Sequence, residues 1–355
     1  MTQSKSKKKN SEDSRKVNSM GLKAGCGLDI GTATIISGRE KENGVEYSLI
    51  RDAYFKIKPS TPLAGSMIEK GLAGKKFYKD SETNTFYVLG EDAIGKAIEK
   101  NESAERPMKR GVLSPGQKDA FPVLKALIKD VVGEPIAKGE KLIYSIPAAP
   151  VDESSEDFSV GYHQDFMKTW LTALGYDAEA LNEATAVAYS ELLDNDLTGM
   201  VFDYGAGMVN IVIVAEGEEI FTFSVVRSGD WVDRNAAIAT NLKDSVVQME
   251  KEKGGVNIFK PNDSDDLHLA IAGYYKRMIE YSVAYTVNAL KNKNLNNLRD
   301  MPVVIAGGTS LIDGFVEVFK NQLTSTPLQF NPTSVERTKN GIYTIARGCT
   351  IATSI

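Results

Sequence analysis

Histidine and cysteine are nearly absent from this chain, with two of each among 355 residues. His163 and His268 alone give no basis for a histidine-rich metal centre or a serine triad. Cys26 and Cys349 stand far apart, with neither metal-ligand nor redox spacing, so they are expected as buried free thiols in a reducing, cytoplasmic setting. Apolar runs long enough to cross a membrane are missing, as is a signal-peptide core near the front. The polar bias of a disordered chain is missing too: 42% of residues are apolar and 25% charged, which at this length suffices to bury two cores.

An excess of positive charge is found only at the front. The net charge is −5, yet residues 1–23 carry seven Lys or Arg against two Asp or Glu, a local +5 that leaves −10 for the rest. With one valine and one leucine, that segment cannot offset its ordering entropy and is expected to be a disordered basic tail. It reads as a solvated leader, as an extension upstream of a start at Met20, or as an electrostatic contact for anionic lipid or nucleic acid. It lacks interleaved aromatics and an amphipathic face, so neither specific nucleic-acid binding nor direct membrane insertion is expected.

Against this background one device occurs twice. Asp29-Ile30-Gly31-Thr32 and Asp203-Tyr204-Gly205-Ala206-Gly207 each follow an apolar strand and precede a β-branched run. Strand residues on both sides of the turn predict strand–turn–strand, which argues against a P-loop or a dinucleotide-binding turn. Each aspartate is delivered to a hairpin tip, where glycine lets backbone N–H groups approach an anion. Two such tips facing each other make a clamp for a polyphosphate and its Mg2+ ion, with Asp29 and Asp203 on the hydrated metal and the amides of Gly31, Thr32, Gly205, Ala206 and Gly207 on phosphate oxygens. The residues Ala33 and Thr34 belong to the same tip, and the hydroxyls of Thr32 and Thr34 add donors. A third turn, Ala306-Gly307-Gly308-Thr309, follows another apolar strand and leads toward an amphipathic stretch over 313–323. Its glycines predict close approach of a base or ribose, next to a helix N-terminus.

Aspartate turn, aspartate turn and double-glycine turn, in that order and spacing, resemble the phosphate-1, phosphate-2 and adenosine motifs of the actin and heat-shock-chaperone ATPase superfamily. Tyr87 to Ala93 is similar to the "VGDEA" segment of bacterial rod-shape and magnetosome actins, and Lys109 to Leu113 to their "DGVI" segment. The pairs continue with Ile146-Pro147 for "VP", Asn182 to Ala188 for "NEPTAAA" and Ser228 to Asp233 for "GGDxxD". The resemblance runs from about residue 24 to the C-terminus and is nearest to the prokaryotic actins. Two departures stand out: Ile35 and Ile36 occupy the strand where eukaryotic actin carries a phosphate-binding lysine, and Ala184 replaces the usual proline.

The resemblance implies an α/β fold of two ribonuclease-H-like lobes with a nucleotide cleft between them. Residues 24–185 are expected to form lobe I, with 59–110 as a small appended subdomain; 186–341 form lobe II, and 342–355 return as a helix to lobe I. Periodicity predicts helices over 120–132, 164–174, 181–193, 265–290 and 342–351, and a buried strand over 142–146. Gln164 is the expected water-orienting residue, with His163, Glu153 and Glu156 as rivals. Met249 to Lys253 is similar to the "KEK" segment, which assigns Lys251 and Glu252 to ribose and base opposite Gly307, Gly308 and Thr309. The implied activity is ATP hydrolysis coupled to self-association into filaments, with an adaptor or cargo as partner. A chaperone-like or regulatory ATPase and a small-molecule kinase share the same clamp and stay open at this point.

Overall fold

Each aspartate turn joins two apolar runs, and in the computed structural model, which describes residues 25–42, 44–113, 120–153, 159–293 and 298–355, both pairs of runs are strands. The basic segment 1–23 and Glu156 lie outside the described residues. The chain opens with β1 (Cys26–Ile30), β2 (Thr34–Lys41) and β3 (Gly44–Arg51), followed by β4 (Tyr54–Ile57), α1 (Pro62–Gly71), β5 (Phe77–Asp80), β6 (Thr85–Leu89) and α2 (Glu91–Lys100). It continues through α3 (Ala120–Val132), β7 (Glu140–Ile146), α4 (Val160–Ala173), β8 (Tyr176–Asn182) and α5 (Glu183–Glu191). Then come β9 (Gly199–Tyr204), β10 (Val209–Ala215), β11 (Glu218–Val225), α6 (Gly229–Thr240), α7 (Asp244–Lys253) and α8 (Asp266–Asn292). The last elements are β12 (Met301–Ala306), α9 (Phe315–Thr324), β13 (Pro332–Arg337) and α10 (Thr344–Ala352).

Two five-stranded sheets share one plan, with strand orders β3-β2-β1-β7-β8 and β11-β10-β9-β12-β13. In each, an antiparallel meander of three strands is extended by two parallel strands beside its first member. The central strands β1 and β9 are buried along their whole length, as strands covered on both faces must be. A smaller sheet, β4-β6-β5, carries α1 and α2 and has its own core around Phe55, Phe86 and Val88. That unit begins at Tyr54 rather than at the composition shift near Pro59, because the apolar β4 reads in sequence as a continuation of the first meander.

Local signals explain the helices that join the sheets. Asn182 caps α5, its Oδ1 accepting from the N–H groups of Ala184 (2.9 Å) and Thr185 (3.3 Å), so the predicted crossing helix starts after a strand and not at 181. Asp265 caps the 27-residue α8 in the same way, accepting from Leu267 and His268. The C-terminal α10 packs on α5 and on β1, β2 and β7. Gly348 and Gly27 permit this: a Cβ at 348 would strike the Ala186 carbonyl, and one at 27 the Thr350 amide and Ala346 carbonyl. After the double-glycine turn, residues 308–311 form one 3-10 turn, and α9 starts at Phe315, two residues into the expected stretch 313–323, so its N-terminus does not adjoin the glycines.

Candidate functional site

The two hairpin tips meet. Asp29, Gly31, Thr32, Ala33 and Thr34 from the first and Asp203, Gly205 and Gly207 from the second line one crevice of about 90 Å³, together with Gly307 and Gly308. Contact between the tips is direct, since a Cβ on Gly207 would collide with Thr32 Oγ1 and the Gly111 amide. The crevice shares Ala33, Thr34, Gly308 and Ile342 with a cavity of about 490 Å³, which Lys251, Glu252, Tyr275 and Thr309 also line. That volume lies within the range of small-molecule pockets.

Carboxylates crowd the inner end. Asp29 Oδ1 accepts a hydrogen bond from Ser145 Oγ (3.1 Å), which itself accepts from the Ile30 N–H (2.9 Å). Asn210 Nδ2 donates to Glu183 Oε2 (2.6 Å) and Asp203 Oδ2 (3.4 Å), while its Oδ1 accepts from the Ala148 N–H (3.0 Å). Burial pushes Asp29 up to about 7, and the charge of Asp203 adds to the shift against the Ser145 bond. Asp203 is likewise pushed up to about 7 by burial, opposed by Asn210. Glu183 stands well above the usual carboxylate range because it is buried and faces both aspartates. Asp203 Oδ1 is buried with no hydrogen-bond partner.

Three buried acids with few donors and one orphaned oxygen fit a divalent cation. Among the described residues no three such side chains converge closely enough to ligate one ion directly, so a magnesium ion here would be held largely through water. Asp29 and Asp203, from the two tips, would be the residues to hold it. Glu183 escaped sequence reading as a carboxylate of the site; the signal was its place one residue after the Asn182 cap, where a strand hands over to the crossing helix.

Other assignments change. The Gly205 N–H donates to the Met208 carbonyl (3.0 Å) and closes its own turn, so it is not available to phosphate; the Gly205 carbonyl accepts from Thr309 Oγ1 (2.9 Å). Gln164 lies half-buried on α4, its carbonyl accepting from Tyr144 Oη (2.9 Å), and lines neither cleft cavity. His163 is buried, with Nδ1 accepting from the Leu113 N–H (3.2 Å), and burial lowers it to about 4, so it is neutral at pH 7. Glu153 is ion-paired with Arg110. Lys251 and Glu252 do reach the larger cavity, already engaged: Lys251 Nζ sits 2.5 Å from Asp233 Oδ1, and Glu252 Oε1 accepts from Arg51 (2.9 Å). Ile35 and Ile36 are fully buried in β2.

Paired sheets of this order, with aspartate tips facing across a crevice, define the actin-like ATPase fold. Solved structures agree: the MamK double helical filament (TM-score 0.65, 17% identity, covering 92% of this chain and 97% of that one) and MreB 5 of Spiroplasma citri bound to AMPPNP (0.63, 14%, 92% and 94%). Ethanolamine utilization protein EutJ from Carboxydothermus hydrogenoformans is also similar (0.52, 15%, 92% and 89%). No curated protein matches in sequence. The chain belongs to the Volactin family, whose model matches residues 25–353.

Proposed function

We propose that this protein binds and hydrolyses ATP in the cleft and assembles into cytoskeletal filaments in the cytoplasm under control of the bound nucleotide. The observation that carries the reading is the meeting of Asp29 and Asp203, from opposite sheets, in one crevice with Asp203 Oδ1 unsatisfied. The division into lobes at 24–185 and 186–341, with 342–355 returning to the first, belongs to the same proposal. Magnesium would neutralise the outer phosphates and the buried acids together. The amides of Gly31, Thr32, Ala206 and Gly207 bind phosphate oxygens, while Lys251, Glu252, Gly307, Gly308 and Thr309 surround ribose and base. Glu183, in the phosphate crevice where Gln164 is not, orients the attacking water. MamK and MreB 5 support the filament and nucleotide parts as relatives in fold, one solved as a filament and the other with AMPPNP.

Beyond the tips, a cavity of about 720 Å³ contains Asp230 and Asp233, the acids that a kinase would need as a base. Both are committed to cations, Asp230 to Arg106 and Asp233 to Lys251, which disfavours that activity. The test is sedimentation and electron microscopy at micromolar protein. ATP with magnesium should give pelletable polymer, and Glu183→Gln should slow phosphate release while sparing ATP affinity. ATP binding without polymer would replace the filament by a partner-gripping ATPase; no ATP binding would end the proposal.

A further inference from the structure

Around the larger cavity the two halves of the molecule are tied by an unbroken chain of side chains. From the first half come Arg51, the last residue of β3, and Arg106, in the segment after α2. The second half supplies Asp230 at the start of α6 and Gln248 and Glu252 on α7. Arg106 Nη1 donates to both Asp230 oxygens (2.9 and 3.0 Å), and its Nη2 to Gln248 Oε1 (3.3 Å). Gln248 Nε2 donates to Glu252 Oε1 (2.9 Å), the oxygen that also accepts from Arg51 Nη2 (2.9 Å). Arg51 Nε lies 3.7 Å from Glu91, which anchors it to its own half. Asp52, buried next to Arg51 in the chain, is within electrostatic reach of Arg106.

All five bridging residues line the 490 Å³ cavity and none lines the 90 Å³ crevice, so the chain forms a wall of the outer compartment. The covalent crossovers lie toward the inner side: Glu183, Gly341, Ile342 and Thr344 line the inner crevice, and of these Ile342 alone also reaches the outer cavity. A molecule hinged at one side and ion-paired at the other opens only when the ion pairs part.

We propose that the Arg51–Glu252 and Arg106–Asp230 bridges are a latch that closes the cleft from both lobes and sets the rate at which nucleotide leaves. This rests on reading the cleft as a nucleotide site. The Arg106 pair is the stronger element, since Nη1 reaches both Asp230 oxygens while Nη2 binds Gln248, whereas Arg51 makes a single charge-assisted bond to Glu252. Side-chain exposures of 26% for Arg106, 31% for Asp230 and 50% for Glu252 leave the latch open to screening by salt.

The experiment is stopped-flow release of a fluorescent ADP from the full chain, in wild type, Arg51→Ala, Arg106→Ala and the double variant, at low and high salt. Release should quicken about tenfold in Arg106→Ala and further in the double variant. Added salt should speed release from wild type and leave the double variant nearly unchanged, a comparison that holds even if one single variant folds poorly. Release rates within twofold of wild type, with salt sensitivity retained, overturn the latch.

A second measurement needs no nucleotide. Nitroxide labels at Ser81→Cys and Ala239→Cys, selective because both native cysteines are buried, report the distance between the halves. The nucleotide-free double variant should populate longer distances than wild type, and identical distributions overturn the latch. If wild type fails to bind ADP, the nucleotide reading falls and this distance measurement still judges the latch.

Discussion

A buried carboxylate without a counter-charge holds free energy that a cation can release. Asp29 and Asp203 titrate near 7 in the folded chain and near the ordinary 3.8 when unfolded. Between those values the folded state binds more protons than the unfolded one, so this contribution to stability is full below the unfolded value and is lost as pH rises through about 7. The thermal midpoint of nucleotide-free protein should therefore fall from about pH 5 to about pH 7 and level off above, followed by scanning fluorimetry. In Asp203→Asn the charge never forms. That variant should show a shallower pH slope, a higher midpoint than wild type at about pH 8, and no ATP hydrolysis. A slope as steep as wild type would mean that the acids already find compensation in the nucleotide-free chain. Glu183 and Asn210 share this electrostatic knot, so the slope reports the group and not Asp203 alone.

At the scale of elements, the joint between α5 and α10 has the least room. Gly348→Ala must drive a methyl into the Ala186 carbonyl, which is backbone and cannot rotate away. Helix α10 would have to lift from α5 and β1, at a cost of about 3 kcal/mol, measured by denaturant unfolding. Gly95→Ala is the counterpart: this exposed glycine within α2 has nothing within 4 Å of an added Cβ, and the change should stabilise by about 0.5–1 kcal/mol. Such crossings are what a sequence conceals. Periodicity gave α3 to the residue, and the runs around Asp29 and Asp203 gave both meanders, because each is a local pattern of apolar side chains. The partner of Gly348 is 162 residues away by number, Ala186, and no local pattern names it. Site residues divide in the same way. The glycine tips are legible from spacing, whereas Gln164 is expected from the resemblance alone, which does not fix the side of α4 it occupies, and Glu183 opens a helix read only as a connector. The Gly205 amide is spent inside its own turn, on the Met208 carbonyl, a pairing that the spacing of the glycines does not reveal.

For the whole molecule, the question is where closure turns. Besides the two covalent crossovers, residues 148–152 leave β7 and attach to the edge of the second sheet: Ser224 N–H donates to the Ala149 carbonyl (3.1 Å), Val151 N–H to the Ser224 carbonyl (3.0 Å), and Val226 N–H to Asp152 (3.1 Å). Tyr281 Oη donates to the same carboxylate (2.8 Å), securing the strap to α8. The Asn210 amide links this strap to Asp203 and Glu183, so the inner end of the cleft is held at three places, while among the described residues the outer end is bridged by side chains. Under the proposed nucleotide control, closure would be a rotation about the inner end. Reversing a 1:99 population of closed form requires nucleotide to favour it by roughly 5.5 kcal/mol, within reach of a few charge-assisted bonds from the two tips. Below the concentration for assembly, ATP with magnesium should lower the radius of gyration of wild type in small-angle scattering and leave that of Asp203→Asn unchanged. An equal decrease in both would show that the tips do not drive closure. No change in wild type, with ATP bound, would place the closed form at high population before nucleotide arrives, and assembly would then have to be governed by the contacts between protomers and not by the angle between their lobes.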